Sequence, residues 1–138
     1  MSADETMGRR EKPARVIICG SRDWTNVGAI EDTMVGLHAG CSGRVVFIHG
    51  DARGADKIAD AVARRLGFDV EAYPADWRGN GKGAGPIRNR QMLDTGATLV
   101  VAFKEGFDHS LTRGGTENMV RMARAAGIPT IVHEAGWA

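Results

Sequence analysis

The sequence predicts an α/β fold, a Rossmann-like three-layer sandwich with a five-stranded, mainly parallel sheet. Short apolar runs alternate with segments whose apolar residues recur at three- and four-residue steps, the pattern of strands followed by helices. The apolar runs are continuous, as is typical of parallel strands that helices cover on both faces. We expect one domain over residues 15–138 and a disordered tail over residues 1–14.

Turn residues set the bounds of the predicted elements. The predicted strands are Val16–Cys19, Val45–Ile48, Phe68–Tyr73, Thr98–Phe103 and Pro129–His133. The predicted helices begin at Val27, Asp56, Pro86 and Thr116, and they end near Gly40, Gly67, Gly96 and Gly127. Asn26 or Thr25 is expected to cap the first helix, and Thr116 the last. The glycine-rich stretch Pro74–Gly85 is predicted to be the longest loop and to be mobile.

The composition is that of an ordinary globular protein, with 43% hydrophobic and 25% charged residues. A formal net charge of +1 provides no overall basic field, so neither a membrane nor nucleic acid is an expected partner. Residues 1–14 contain no apolar stretch, which argues against a signal peptide or a spanning helix there. Cys19 and Cys41 have neither metal-site nor disulfide-framework spacing. We therefore expect free thiols, a cytoplasmic location, and neither a metal nor a cofactor.

The stretch His49–Asp56 lies where the second apolar run ends and a helical pattern begins. Gly50 and Gly54 permit positive φ angles and close approach of a ligand, while the free amides of the new helix attract an anion. The stretch therefore indicates either a phosphate-binding turn or a purely structural turn, in which Asp51 caps the helix and Arg53 is solvated.

Similar turns follow other predicted strands. In a parallel sheet the loops after the strands lie at one edge, and ligands bind where the strand order reverses. With the order 3-2-1-4-5, the reversal lies between strands one and four and brings Gly20-Ser21-Arg22 beside Gly114-Gly115-Thr116. The dinucleotide fingerprint Gly-x-Gly-x-x-Gly is absent after the first strand, which argues against an NAD-dependent dehydrogenase.

Glycines, arginines and small polar residues at this edge are the candidate ligand-binding residues. They are Gly20, Ser21, Arg22, Gly50, Asp51, Arg53, Gly54, Asp56, Trp77, Arg88, Asn89, Gly114, Gly115 and Thr116. Arginine forks suit bidentate phosphate contacts, and Arg88 is the strongest candidate because it lies at a helix start on the ligand edge. Asp51 and Asp56 could hold ribose hydroxyls.

Several candidates also have a structural interpretation. Ser21 can cap the following turn, and Asp56 can complement the dipole of its own helix. Trp24 and Trp77 either stack on a base or plug a loop against the sheet. His49 ends a buried strand and is expected to be a hydrogen-bonded structural histidine.

Taken together, the motifs resemble those of the YspA-type SLOG family over Val16 to about Val132. They are Gly20-Ser21-Arg22, His49–Asp56, Pro74–Trp77, Gly85–Asn89 with Met92, and Gly114–Thr116. The resemblance implies a Rossmann-like fold that binds nucleotides or nucleotide-derived ligands. More remotely, the chain is similar to the Rossmann domain of DNA-processing protein A and to the lonely-guy phosphoribohydrolases, which cleave the N-glycosidic bond of nucleoside monophosphates. Met119 stands where the catalytic glutamate of those hydrolases is expected.

Three functions are compatible with these residues. Binding or sensing of a nucleotide-type ligand ranks first, because the glycine turns and arginines suffice for it. An N-glycosidic hydrolase is the alternative, with Arg88 and a carboxylate such as Glu117, Asp76 or Asp51 in catalytic roles; Glu117 otherwise only complements its helix dipole. DNA handling ranks third, because the chain has no basic stripe.

A homodimer is also expected from the methionines on the predicted helices. Met34, Met119 and Met122 offer more apolar helix surface than one small sandwich readily covers, and pairing through such helices is what the family resemblance implies.

Overall fold

A computed structural model describes residues 12–135 of the chain. The strands are β1 (Ala14–Gly20), β2 (Val45–His49), β3 (Asp69–Ala72), β4 (Leu99–Phe103) and β5 (Thr130–His133). The helices are α1 (Val27–Gly40), α2 (Ala55–Leu66), α3 (Trp77–Asn80), α4 (Ala84–Asp94) and α5 (Gly115–Ala125). Residues 1–11 of the expected tail lie outside the described part of the chain, and β1 begins within the tail's predicted range.

All five strands are parallel and lie in the order β3-β2-β1-β4-β5. The predicted α/β Rossmann-like fold is therefore confirmed, and so is the predicted reversal of strand order between β1 and β4. No helix within residues 12–135 is both long and apolar enough to cross a membrane.

Two apolar cores cover the two faces of the sheet, and β1 contributes to both. Val16 and Ile18 pack with α1 and α2 on one face, whereas Ile17 and Cys19 pack with α4 and α5 on the other. Each fully buried aliphatic side chain of this kind stabilises the fold by about 1.5–3 kcal/mol relative to exposure. The central strand is thus held rigidly, and its carboxyl end provides a fixed base for the loop that follows.

Met34, Met119 and Met122 do not form an exposed apolar surface. Met34 belongs to the core under α1, and Met119 to the core under α5, and neither side chain is exposed. Met122 is partly buried and packs against the same core as Met119. The prediction that these methionines leave apolar helix surface uncovered is therefore wrong, and the homodimer stays a prediction that rests on the family resemblance alone.

Two local predictions are also wrong. The stretch Pro74–Gly85 is not one long loop: it contains α3, a 3-10 turn over Gly81–Gly83 and the first turn of α4. Asp76 begins this helical segment, because its carboxylate accepts a hydrogen bond of 2.9 Å from the Gly79 N–H. Thr116 does not cap α5 but lies inside its first turn, after a cap at Gly114.

Candidate functional site

A cleft of about 640 Å³ opens at the carboxyl ends of β1 and β4. Its size is within the range of small-molecule sites. The lining residues come from the β1–α1, β2–α2, α3–α4 and β4–α5 segments: Cys19, Gly20, Ser21, Arg22, Asp23, Ala52, Asp56, Trp77, Lys82, Gly85, Pro86, Arg88, Asn89, Met92, Lys104, Gly114, Gly115, Thr116 and Asn118. The structure thus brings the first and last predicted glycine turns to one cavity.

The β2–α2 turn is held by a buried carboxylate. Asp56 Oδ2 accepts hydrogen bonds from the backbone N–H of Gly50 (3.0 Å) and of Ala52 (3.2 Å). Burial raises the pKa of Asp56, and these two N–H donors act in the opposite direction. Asp56 therefore stabilises the conformation of the β2–α2 turn, which faces the cleft.

Gly54 allows two loops to meet. It has a φ of +79°, and a Cβ there would lie 2.3 Å from the carbonyl oxygen of Ser21. That same oxygen accepts a 3.1 Å hydrogen bond from the Ala55 N–H at the start of α2. The glycine is thus needed for the β1–α1 loop to pack on the end of α2.

Ser21 and Trp24 have structural roles in the β1–α1 loop. Ser21 Oγ accepts a 3.0 Å hydrogen bond from the Asp23 N–H, as a turn-capping serine does. Trp24 is buried, donates from Nε1 to the Asn26 carbonyl (2.9 Å) and packs edge-on against Phe103. Trp24 therefore packs its loop against the sheet. This is the structural one of the two roles predicted for it, the other being stacking on a base.

Arg88 reaches from α4 across to the β2–α2 turn. One guanidinium nitrogen, Nη1, donates to the Gly50 carbonyl, and Nε donates to Asn89 Oδ1 at 3.0 Å. A Cβ at Gly50 would lie 2.1 Å from that Nη1, so only glycine leaves room for the arginine. The guanidinium is thus fixed in place at the wall of the cleft, which reduces the entropy lost when it binds an anion.

Asn89 links the starts of two helices. Its Nδ2 donates to the Gly115 carbonyl (3.2 Å) and to Asn118 Oδ1 (3.0 Å), which ties α4 to the first turn of α5. Gly114 precedes that turn with a φ of +98°, whereas Gly115 has no positive φ, and a Cβ on it would meet no atom within 4 Å. Of these two glycines, Gly114 alone is sterically required, and Gly115 has the backbone conformation of an ordinary helical residue.

Lys104 and Glu117 form an ion pair that no sequence pattern predicts. Lys104 follows β4 directly, and its Nζ lies 2.8 Å from Glu117 Oε1. Glu117 Oε2 accepts a 2.9 Å hydrogen bond from the Asp108 N–H, and the residue is only 1% exposed. Burial pushes the pKa of Glu117 upward, but the Asp108 N–H and the Lys104 ammonium together hold it below its ordinary value.

The predicted structural role of His49 is confirmed. Its buried ring accepts the Asp51 N–H at Nδ1 (3.0 Å), so Nε2 carries the proton that is donated to Asp60 (2.8 Å). Asp51 does not cap α2, because the cap position is occupied by Gly54. Its carboxylate instead pairs with Lys57.

Three candidate side chains, those of Arg22, Arg53 and Trp77, are exposed. Trp77 lies at the start of α3 with 51% of its surface accessible, and it lines the cleft. Arg53 has a side chain that is 75% exposed and lies 4.0 Å from the Asp23 carboxylate. Arg53 lines an adjoining hollow rather than the cleft itself.

Metal-binding side chains do not cluster within residues 12–135, where no group of three His, Cys, Asp or Glu could hold an ion. Cys19 and Cys41 are free thiols. Cys19 lies beneath the cleft, and burial raises the pKa of its thiol, so the thiol is neutral at physiological pH.

The order of the parallel strands and the position of the cleft define a Rossmann-like α/β protein. A family model described as the YspA, cpYpsA-related SLOG family matches residues 14–79. The gene 61 protein of Mycobacterium phage D29 is 43% identical over 123 residues, which cover 85% of this chain and 94% of that protein. The chain therefore belongs to the YspA, cpYpsA-related SLOG family.

Two solved structures share the fold at low sequence identity. DNA processing protein A from Streptococcus pneumoniae matches with a TM-score of 0.69 and 18% identity, over 87% of this chain and 50% of that one. The Helicobacter pylori protein of the same name matches with a TM-score of 0.59 and 19% identity, over 88% and 65%. The chain thus spans about half to two thirds of these proteins, and the likeness concerns the fold alone.

Proposed function

We propose that the cleft between β1 and β4 binds a nucleotide or a nucleotide-derived ligand through its phosphate groups. The observation that carries this proposal is the placement of Arg88. Its guanidinium donates hydrogen bonds to the Gly50 carbonyl and to Asn89 Oδ1 at the wall of the cleft, and the Asp56 carboxylate lies close enough to interact with it electrostatically. A fixed arginine beside backbone turns is well suited to a phosphate.

The surrounding residues support the same ligand class. Arg22 and Lys82 also line the cleft and add positive charge, and Thr116 lies in the first turn of α5, where helix amides favour an anion. Trp77 presents an accessible aromatic face at the same cavity. The cleft can therefore contact both the phosphate groups and the base of a nucleotide.

Hydrolysis of an N-glycosidic bond has weaker support. Glu117 is committed to Lys104 and to the Asp108 N–H, and Met119 is enclosed in the core. Glu117 therefore offers no free carboxylate to a sugar in the cleft, and Met119 has no carboxylate to offer. We expect poor turnover of nucleoside monophosphates, because loss of one positioned acid-base group removes about 10²–10⁴ in rate.

Single-stranded DNA is the second candidate ligand, since the Helicobacter pylori neighbour has a described single-stranded DNA binding mode. Against it, Asp23 and Asp56 line the cleft among the cations, and the net charge of the chain is only +1. A strand of DNA needs a row of cations along its backbone.

Binding measurements on two arginines of the same helix test the proposal. Arg88→Gln is compared with Arg90→Gln, because Arg90 is exposed, lies near Asp94 (3.9 Å) and does not line the cleft. We expect ADP to raise the thermal midpoint of the parent and of Arg90→Gln, and Arg88→Gln to lose at least about tenfold in affinity. Equal ADP affinity in all three proteins would refute the proposed site.

The same proteins allow the alternatives to be tested. Release of free base from nucleoside monophosphates is followed with the parent and with Glu117→Ala. Efficient release that is abolished in Glu117→Ala would establish the hydrolase instead. Tight binding of an oligonucleotide with a steep salt dependence, and none of ADP, would establish DNA binding.

A further inference from the structure

Strand β5 lies at one edge of the sheet and, within residues 12–135, pairs with β4 alone. The carbonyl oxygens of Pro129 and His133 accept hydrogen bonds from backbone N–H groups in and directly after β4. Successive residues of a strand point their N–H and C=O groups to opposite sides. Those of Thr130 and Val132 therefore point away from β4, where a further strand can pair with them.

The other edge strand, β3, is less suited to pairing with a copy of itself. Tyr73, directly after β3, donates its N–H toward β2, so the same alternation directs the groups of Val70 and Ala72 outward. An antiparallel pair formed by these groups places Glu71 opposite Glu71 of the second copy, and like charges directly opposite each other destabilise a sheet. Arg15 offsets part of that repulsion. Self-pairing is therefore favoured at β5, which has an isoleucine at the central position and no acidic residue.

Self-pairing of β5 has a register that joins its outward groups. In an antiparallel pair, Thr130 lies opposite Val132 of the second copy, and each such pair exchanges two hydrogen bonds, about four in total. Ile131 then lies opposite Ile131 of the second copy, on the face of the sheet that α1 covers. This side chain is 44% exposed in the single chain, so the pairing covers an apolar surface that is otherwise open to solvent.

Opposite charges flank the same strand. Arg124, near the end of α5, lies beside Thr130, because its Nε donates a 3.0 Å hydrogen bond to Thr130 Oγ1. Glu134 follows β5 directly, and one of its carboxylate oxygens contacts the exposed His109. In the antiparallel register, Glu134 of the second copy lies diagonally across from Thr130, within reach of a long side chain such as that of Arg124. The two-fold symmetry repeats this charge pair.

We infer that two copies of this chain associate through their β5 edges, so that their sheets form one continuous sheet across a two-fold axis. The pairing is isologous, since the same surface of each copy makes the same contacts. A short edge strand with one central apolar pair makes a small interface, so we expect a dissociation constant on the order of 10 μM. No residue of β5 lines the cleft, so the failure of this inference leaves the proposed function intact.

Sedimentation velocity between about 1 and 200 μM protein measures the association. Ile131→Lys removes the apolar contact, and Ile87→Lys is its matched control, because Ile87 has the same exposed fraction but lies on α4. Val132→Pro removes an outward N–H at an edge position, where proline is tolerated. Arg124→Glu and Glu134→Arg, singly and together, test the charge pair. The thermal midpoint of each variant shows whether it is folded.

We expect the parent and Ile87→Lys to dimerise alike, and Ile131→Lys and Val132→Pro to weaken dimerisation at least about tenfold. Each charge reversal alone is expected to weaken it about fivefold, and the double reversal to restore it. A parent that stays monomeric up to about 200 μM would overturn the inference and leave the edge to a strand of another protein. A dimer that Ile87→Lys disrupts and folded Ile131→Lys does not, or that neither charge reversal weakens, would overturn it as well.

Discussion

Two adjacent glycines at the start of α5 occupy very different surroundings. A Cβ at Gly114 would lie 2.2 Å from Glu117 Oε1 and 3.0 Å from Lys104 Nζ, and the φ of this residue is +98°. A Cβ at Gly115 would have no atom within 4 Å. Gly114 therefore makes room for the Lys104–Glu117 pair, while Gly115 is only a helical residue without a side chain.

Alanine substitutions at these two positions should have different effects on the free energy of unfolding. Gly114→Ala is expected to cost about 1–3 kcal/mol in the free energy of unfolding, because it strains φ and displaces the ion pair. Gly115→Ala is expected to be neutral or to stabilise by up to about 1 kcal/mol, since alanine is the better helix former. Urea unfolding at unchanged m-value measures both. Equal effects of the two substitutions would show that the turn adapts freely.

The buried carboxylate of Glu117 makes stability depend on pH. Its pKa is lowered in the folded protein, so its contribution is fully present above its ordinary pKa of 4.5 and is lost as the pH falls through the lowered value. Glu117→Gln is expected to cost about 1–3 kcal/mol at pH 7, because Lys104 loses its partner. The difference between the two proteins should shrink below pH 4.5.

Unfolding measured at several pH values checks this prediction, with Glu105→Gln as the control, since Glu105 is exposed and adjoins Lys104 in the chain. A pH-independent difference between Glu117→Gln and the parent would mean that the ionised carboxylate is not the stabilising form.

At the scale of elements, the short helix α3 positions an exposed aromatic residue over the cleft. Asp76 caps the helix, and the exposed Trp77 follows it directly. Trp77→Ala should therefore leave the free energy of unfolding within about 0.5 kcal/mol of the parent, as surface substitutions usually do. The same substitution should weaken nucleotide binding about tenfold or more, because base–aromatic stacking contributes about 1–3 kcal/mol.

Trp24→Ala is the matched comparison for this prediction. Trp24 is buried against Phe103, so its loss should cost about 3–5 kcal/mol of stability. Trp77→Phe should retain most of the binding. If Trp77→Ala bound nucleotides like the parent while remaining folded, the aromatic face of α3 would have no part in recognition.

The strands β1, β2 and β4 were predictable because their apolar runs are continuous, and the strand order followed from the fold class. Helical structure in Pro74–Gly85 was not predictable, because four glycines obscure a turn that depends on one capping hydrogen bond, which Asp76 accepts from the Gly79 N–H. The Lys104–Glu117 pair was not predictable either. Its members are 13 positions apart and meet only because the intervening loop folds back on α5.

The candidate site was likewise only partly predictable from the sequence. Arg88 could be selected from its place at a helix start, but its hydrogen bond to Gly50 joins residues 38 positions apart. Ser21 and Trp24 have side-chain roles in their own loop, an arrangement that depends on local hydrogen-bond geometry. The sequence pattern therefore identified the edge of the sheet that carries the candidate site, whereas tertiary contacts decide which side chains at that edge face a ligand.

At the scale of the whole molecule, the two cores hold the sheet between two helix layers, so the carboxyl ends of β1 and β4 form a fixed floor for the cleft. The loops above that floor are braced by Asp56, Asn89 and Glu117. Preorganised loops of this kind allow a ligand to bind with little rearrangement of the backbone. We therefore expect the bound and free proteins to have the same backbone around the cleft.

The central claim is that a nucleotide-type ligand binds at the reversal of strand order, and a crystal structure of the protein with ADP tests it most directly. The account predicts electron density for the phosphates in the cleft above β1 and β4, within hydrogen-bonding distance of the Arg88 guanidinium and the turns around it. ADP bound at another surface, with the cleft filled only by solvent at saturating ADP, would contradict the account.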